Sequence, residues 1–188
     1  MMNVKTVVSM LKGGKLPLLL RFKGLFNNFY KVSFLASMTD TAFMEQLSNG
    51  PVSIDDLSKK FPQTPTTRNA IEAWLNLGVQ LGVIKKSDAG YYLNGFLAKT
   101  LAKPQNDAIR ALVREVADLH HLYIMQTPAK LEQGIEWQPS DQHAEYGDLI
   151  ARSSQTLEPF LFEIIDRVFP KSDDMRLLEV GCGNAGYI

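Results

Sequence analysis

The sequence MRLLEVGCGNAG, residues 175–186, decides the fold class of the C-terminal part of the chain. Its first half is short and mostly apolar, as in a buried parallel strand. Glycines follow at Gly181, Gly183 and Gly186, which is a G-x-G-x-x-G spacing placed directly after the strand. Because glycine has no Cβ, such a loop turns tightly and passes close to a nucleotide-like ligand. We therefore expect the first strand and glycine loop of a Rossmann-like α/β fold.

The charge of Glu179, two residues before Gly181, indicates which ligand this loop binds. At the C-terminal edge of the strand a carboxylate repels phosphate and attracts a cation. S-adenosylmethionine carries a sulfonium and an ammonium group and no phosphate, whereas NAD carries a pyrophosphate. The residue therefore favours S-adenosylmethionine over NAD. A carboxylate that is merely solvated at a strand end remains the alternative.

Residues 29–103 have the element order of a winged helix. Apolar residues recur at spacings of three and four from Phe29 until Asn49-Gly50-Pro51 stops the helix. The pattern then predicts a short helix over 54–61 with Ser53 as its N-cap, a helix over 66–81 capped by Thr66 or Thr67, and strands at 83–86 and 91–93. A helix, a helix-turn-helix and a two-stranded wing follow in that order.

The charges of this region argue against a nucleic-acid interface. The predicted helix 66–81 has Arg68 as its only cation, with Glu72 opposing it, and Asp88 offsets the pair Lys85-Lys86. Two or three scattered cations cannot supply the six or more phosphate contacts that a tight binder makes. We therefore expect a winged helix that packs and dimerises and does not read DNA.

Residues 104–174 are predicted to form linker helices. A stripe of apolar residues runs from Ile109 to Tyr123, and Thr127-Pro128 is expected to end that helix. A loop over 131–142, anchored by Trp137, precedes a second helix from about 144–146 to 169, bent at Pro159. His120 lies on the stripe, but His121 points about 100° away, so the pair cannot share one metal ion. We expect a hydrogen-bonded core or interface histidine, a surface histidine at His143, and no metal site.

Composition is that of a globular protein with one domain and a fraction. The 188 residues are 45% hydrophobic with zero formal net charge, Cys182 has no disulfide partner, and no run is long enough to span a bilayer. A reducing, cytoplasmic location is the default. Residues 1–39 hold six basic side chains and no acid, which leaves 14 basic and 20 acidic ones for the rest. A helical arm that buries Val4, Val7, Val8 and Leu11 against a partner is favoured over attachment to acidic lipid or an acidic partner and over a targeting peptide.

Residues 177–186 resemble the first glycine-rich motif of class I S-adenosylmethionine-dependent methyltransferases, and the preceding layout resembles small-molecule O-methyltransferases with an N-terminal winged-helix dimerisation domain. The segments 146–154 and 157–160 resemble the helix that leads into the cofactor domain of bacterial relatives. The family commonly has its third glycine one residue earlier, at Ala185. The resemblance implies a homodimer, a small-molecule acceptor, and cofactor-binding residues at Glu179, Gly181, Cys182, Gly183 and Gly186, with Tyr146 and Arg152 over the methionine end.

The predicted organisation is therefore mainly α: a basic arm (1–39), a winged helix (29–103), linker helices (104–174) and a truncated Rossmann-like domain (175–188). An acidic residue for the ribose, an acceptor pocket and a catalytic base would need further β–α units, so we expect this chain alone to be inactive. The catalytic residues are unassigned. The alternative function is a non-enzymatic winged-helix binding or regulatory module in which the glycine motif is vestigial.

Overall fold

The computed structural model describes residues 8–9, 11–39, 41–138 and 144–168, without the side chains of 144 and 145. This part of the chain is mainly helical, with a small antiparallel sheet. Its helices are α1 (Lys15–Thr39), α2 (Ala42–Ser48), α3 (Ile54–Ser58), α4 (Pro65–Gln80), α5 (Gly95–Leu101), α6 (Asp107–Glu115), α7 (His121–Glu132), α8 (Ala144–Ser154) and α9 (Glu158–Val168). The strands β1 (Ile84–Ser87) and β2 (Gly90–Leu93) lie between α4 and α5. The expected mainly helical class is confirmed.

The chain divides into two compact units. The first comprises the described residues up to Leu35 together with Glu45–Gly95, and the second comprises Ala36–Met44 together with the described residues from Phe96 onward. The predicted strand and glycine loop at 175–188 lie outside the described residues, as does His143.

Side-chain caps set the helix boundaries in the first unit. Ser53 accepts a hydrogen bond from the Asp56 amide at 3.1 Å and caps α3, as predicted. The cap of α4 is Thr64, whose hydroxyl accepts from the Thr67 amide at 3.1 Å, so the prediction of Thr66 or Thr67 was wrong. Pro65 explains the difference, since proline is favoured in the first turn of a helix and the cap must precede it.

The sheet of the first unit is anchored on both sides of β2. Ile84 pairs with Leu93 and Ser87 with Gly90, which confirms the predicted hairpin. On its other side, Tyr91 exchanges two backbone hydrogen bonds with Val52, at 2.8 and 2.9 Å. Gly90 has φ +127°, and a Cβ there would lie 2.3 Å from the Val52 carbonyl oxygen, so only glycine fits this crossing.

Close helix packing completes the core of the first unit. The ring of Phe34 stacks on Trp74 with centroids 4.6 Å apart, and a Cβ on Gly78 would lie 2.4 Å from the Phe34 ring. Leu57, Leu75, Val83, Ile84 and Leu93 are almost fully buried in this unit. Gly78 is therefore the position that lets α4 approach Phe34 and Ile84.

In the second unit, α8 packs along α6, and a π-helical segment (Val116–His120) joins α6 to α7. Proline 128 lies inside α7, so the expectation that Thr127-Pro128 ends this helix was wrong. The helix ends where Gly134 takes φ +65° and where the amides of Gly134 and Ile135 bond to Leu131 and Lys130 in a Schellman motif. Trp137 then packs edge-on against Tyr123, with centroids 4.3 Å apart, as an anchor of the predicted loop.

The single helix predicted from 144–146 to 169 with a bend at Pro159 is instead two helices, α8 and α9, separated by a 3-10 turn (Gln155–Leu157). Pro159 lies in the first turn of α9, where its missing N–H costs no helical hydrogen bond. Among the described residues, none of the helices has the combination of length and apolar character that crossing a bilayer requires.

Candidate functional site

The predicted cofactor residues divide into two groups. Glu179, Gly181, Cys182, Gly183 and Gly186 lie outside the described residues, so their role stays a prediction. Tyr146 and Arg152 lie on α8, six residues apart, and therefore point about 120° away from each other around the helix. Only one of the two can face a given ligand squarely without a bend in α8.

Arg152 makes a bidentate ion pair with Asp107 at the start of α6. Its Nε lies 2.9 Å from Oδ2 and its Nη2 2.8 Å from Oδ1, and Nη1 lies 3.6 Å from Asp148 Oδ2. Asp107 Oδ1 also accepts from Arg110 Nη2 at 2.9 Å. The hydrogen bond from Arg152, more than any other contact, lowers the pKa of Asp107, and the same bond raises the pKa of Arg152. This pair ties α8 to α6 and keeps both groups charged.

A second polar cluster between α6 and α8 joins Glu115, at the end of α6, to Ser153, the residue after Arg152 on α8. The Glu115 side chain is 12% exposed; it accepts a hydrogen bond from the buried Ser153 hydroxyl, and its Oε1 lies 3.1 Å from His120 Nε2. The order is serine–glutamate–histidine, so the imidazole does not touch the hydroxyl and cannot activate it as a nucleophile. The cluster therefore stabilises the helix pair and provides no catalytic triad.

Half of the His120 side chain is exposed, so the core alternative for this histidine is wrong, while the hydrogen bond is confirmed. The interface alternative stays a prediction. Helical spacing places Glu115 off the apolar stripe and so does not predict it as the partner, because residues five apart share a face only in a π-helix. Within the described ranges, three or more histidine, cysteine or acidic side chains nowhere gather in a way that would hold a metal ion.

Three of the cations near the helix-turn-helix have carboxylate partners in their own unit. Arg68 pairs with Asp55, Lys59 with Asp56 at 2.6 Å, and Lys86 lies 3.8 Å from Glu72. The bond to Lys59 lowers the pKa of Asp56, which keeps this carboxylate charged. Groups that are neutralised internally offer less attraction to phosphate.

A shallow cavity of about 310 Å³ lies at the turn between α3 and α4 and is lined in part by Gln63, Thr64 and Arg68. The Gln63 amide donates inside this turn to the carbonyls of Ser58 and Phe61, at 2.6 and 2.7 Å. The Gln63 amide, one of the polar groups that line the cavity, therefore stabilises this turn.

No protein-family model, curated protein sequence or solved structure matches this chain.

Proposed function

We propose that this chain is the N-terminal region of an S-adenosylmethionine-dependent methyltransferase that methylates a hydroxyl oxygen of a small molecule. The observation that carries the proposal is the sequence LLEVGCGNAG at 177–186. Its donor set suits the cofactor, because the Glu179 carboxylate attracts an ammonium group and repels the phosphates of a dinucleotide. When bound, the cofactor supplies an electrophilic methyl group.

In this proposal Glu179 and the backbone at Gly181 and Gly183 hold the amino group of the cofactor, and Cys182 and Gly186 complete the loop. Tyr146 and Arg152 lie over the methionine end, which requires a bend in α8 because the two side chains point about 120° apart. The Arg152 guanidinium donates two hydrogen bonds to Asp107. To bind the cofactor carboxylate, it would have to release Asp107. The acceptor pocket and the catalytic base belong to β–α units that would follow the glycine loop.

The proposal also includes a winged helix over 29–103. Two observations support it: the order α2, α3, α4, β1, β2, and the bridge from Val52 to Tyr91, which adds a backbone pairing from the segment before α3 to the far side of the hairpin. The internal pairing of Arg68, Lys59 and Lys86 supports packing as the function of this unit, without nucleic acid as a partner.

A homodimer in the cytoplasm is the proposed form of the protein. Exposed apolar side chains on α7, including Ile124, Met125 and Leu131, support an interface along the long helices. Light scattering at micromolar concentration tests this part separately, since a monomer would contradict it.

A non-enzymatic binding module is the second candidate, and the exposed apolar residues of α1 favour it. The coding sequence after the Ile188 codon distinguishes the two functions. A frame that continues through strand–helix units, with an acidic residue about 20 positions after the glycine loop, supports the methyltransferase. A stop codon directly after Ile188 supports the binding module.

A further inference from the structure

The N-terminal two-thirds of α1 presents an apolar face to the surroundings. Six of its apolar residues are 39–62% exposed: Leu18, Leu19, Phe22, Leu25, Phe26 and Phe29. At about 100° per residue they occupy an arc of about 120° around the helix and extend about 16 Å along it. An exposed apolar face of this extent marks an interaction surface.

This face points away from the side of α1 that enters the core. The large buried residues at the other end of the helix, Phe34, Leu35 and Met38, lie on the opposite side, about 170° around the axis. The exposed apolar face of residues 18–29 and the buried face of residues 34–38 therefore lie on opposite sides of one helix. Residues 18–29 cannot be an extension of the core contact made by 34–38, and they need a different occupant.

Cations flank the apolar face on both edges. Arg21 and Lys23 each lie about 40° beyond its margins, and Lys31 and Asn27 lie on the polar side. No acidic residue occurs before Asp40. Pairing of this face with the same face of a second copy would bring these cations together without a carboxylate from residues 1–39, which is unfavourable.

We propose that residues 18–29 of α1 bind the surface of an anionic lipid bilayer, with the apolar face in the headgroup region and Arg21 and Lys23 at the lipid phosphates. A helix with aromatic and leucine side chains on one face and basic side chains at its edges has the chemistry of an interfacial helix. The helix lies on the bilayer and does not cross it. This inference is independent of the proposed methyltransferase function.

The test is co-sedimentation of the 188-residue chain with two kinds of vesicle. One contains phosphatidylcholine alone, and the other contains phosphatidylcholine with about 30% phosphatidylglycerol. We expect binding to the anionic vesicles that weakens with salt, and at least about tenfold weaker binding to neutral ones. Failure of the wild-type chain to bind anionic vesicles, or equal binding to both compositions, would overturn the proposal.

Leu25→Ser and Leu20→Ser form a matched pair, because the two leucines are 62% and 65% exposed and lie on opposite sides of the same helix. Leu25→Ser should weaken vesicle binding about tenfold, whereas Leu20→Ser should leave it within about twofold. Equal effects would contradict the face assignment. Far-UV circular dichroism checks that both variants keep the helix.

The role of charge is tested by comparing R21Q/K23Q with K59Q/K60Q. The second double variant removes the same net charge from a segment outside α1. The first double variant should lose about 25-fold in binding to anionic vesicles and the second less than about threefold, at roughly fivefold per surface cation. If Leu25→Ser instead turns a dimer into a monomer while wild-type chain ignores vesicles, a second copy is the occupant. If the chain binds nucleic acid and Leu25→Ser does not change that binding, the cations act without the apolar face. Either of these two results refutes the proposal.

Discussion

Glu115 and His120 are hydrogen-bonded across five residues, with Oε1 and Nε2 3.1 Å apart. An α-helix brings residues three or four apart onto one face, whereas a π-helical turn closes between i and i+5. The segment Val116–His120 is such a turn, and it places these two side chains next to each other. The Glu115 carboxylate also accepts a hydrogen bond from Ser153 on α8. This nearly buried acid of α6 therefore contacts both the π-helical segment and α8.

Glu115→Ala should lower the free energy of unfolding by about 1–3 kcal/mol, because it removes a nearly buried acceptor that joins α6 to α8. His120→Ala should cost less than about 1 kcal/mol, since half of this side chain is exposed. Urea unfolding followed by circular dichroism measures both. Glu132→Ala, at an exposed position on α7, serves as the control and should stay within about 0.5 kcal/mol. Equal losses for Glu115 and Glu132 would show that the cluster contributes nothing.

The pair Asp107–Arg152 predicts a pH dependence of stability. The folded-state pKa of Asp107 lies below its ordinary value, chiefly because of the hydrogen bond from Arg152, so the stabilisation is fully present above the unfolded pKa of about 3.9 and is lost as the pH falls through the folded value. Both side chains are a third or more exposed, which limits the effect to about 1 kcal/mol.

Asp107→Asn tests this dependence. Its deficit in unfolding free energy relative to wild type should be about 1 kcal/mol at pH 7 and should shrink toward zero as the pH falls below about 4. Asp88→Asn, in the exposed turn of the hairpin, should show no such change. A deficit of Asp107→Asn that is the same at pH 7 and pH 3 would mean that the ion pair does not act through the carboxylate charge.

Gly90→Ala should destabilise the chain by about 3 kcal/mol or more, because it adds both a positive-φ penalty and a collision with the Val52 carbonyl. Gly134→Ala is the matched control: this glycine has φ +65°, and a Cβ there would have no neighbour within 4 Å. Gly134→Ala should lower the free energy of unfolding only by the positive-φ penalty, about 1–2 kcal/mol. Thermal unfolding of the two variants isolates the contact, and equal losses would contradict the Val52–Tyr91 crossing.

Gly78→Ala should lower the free energy of unfolding, whereas Gly24→Ala should raise it or leave it unchanged. Both glycines are in helices, where alanine is intrinsically better by about 0.5–1 kcal/mol. A Cβ on Gly24 would meet nothing within 4 Å, so this variant should be stabilised or unchanged, whereas a Cβ on Gly78 would collide with Phe34 and Ile84 and should cost about 1–3 kcal/mol. Chemical denaturation gives both values. A stabilised Gly78→Ala would disprove the close packing of α4.

Local signals in the sequence predicted parts of the first unit, although the single helix expected from Phe29 to Asn49 is divided into α1 and α2. The Ser53 hydroxyl caps the helix that directly follows it, and Gly82 and Gly90 take positive φ in their turns, so the α3 cap, the end of α4 and the hairpin were predicted without tertiary information. Helix α5 was missed, because Gly95 at its start is a residue that normally breaks a helix.

Features that depend on contacts or on an unusual helix type could not be predicted in this way. Pro128 is tolerated inside α7, and the π segment changes which residues share a face after Val116, so the stripe ending at Tyr123 does not describe one buried side. For the same reason, α-helical spacing does not predict the contact between Glu115 and His120. The partner of Arg152 is 45 residues away, and only tertiary packing determines it.

The central claim is that the glycine loop binds S-adenosylmethionine through Glu179. The direct measurement is isothermal titration of S-adenosylmethionine, with NAD as a comparison, into the polypeptide extended by whatever its reading frame encodes after Ile188. We expect binding of S-adenosylmethionine and not of NAD, a loss of about tenfold or more in Glu179→Gln, and no change in the control Glu158→Gln on α9. Tight, stoichiometric binding by the 188-residue chain alone, preference for NAD, or equal affinity of Glu179→Gln and wild type would contradict the account.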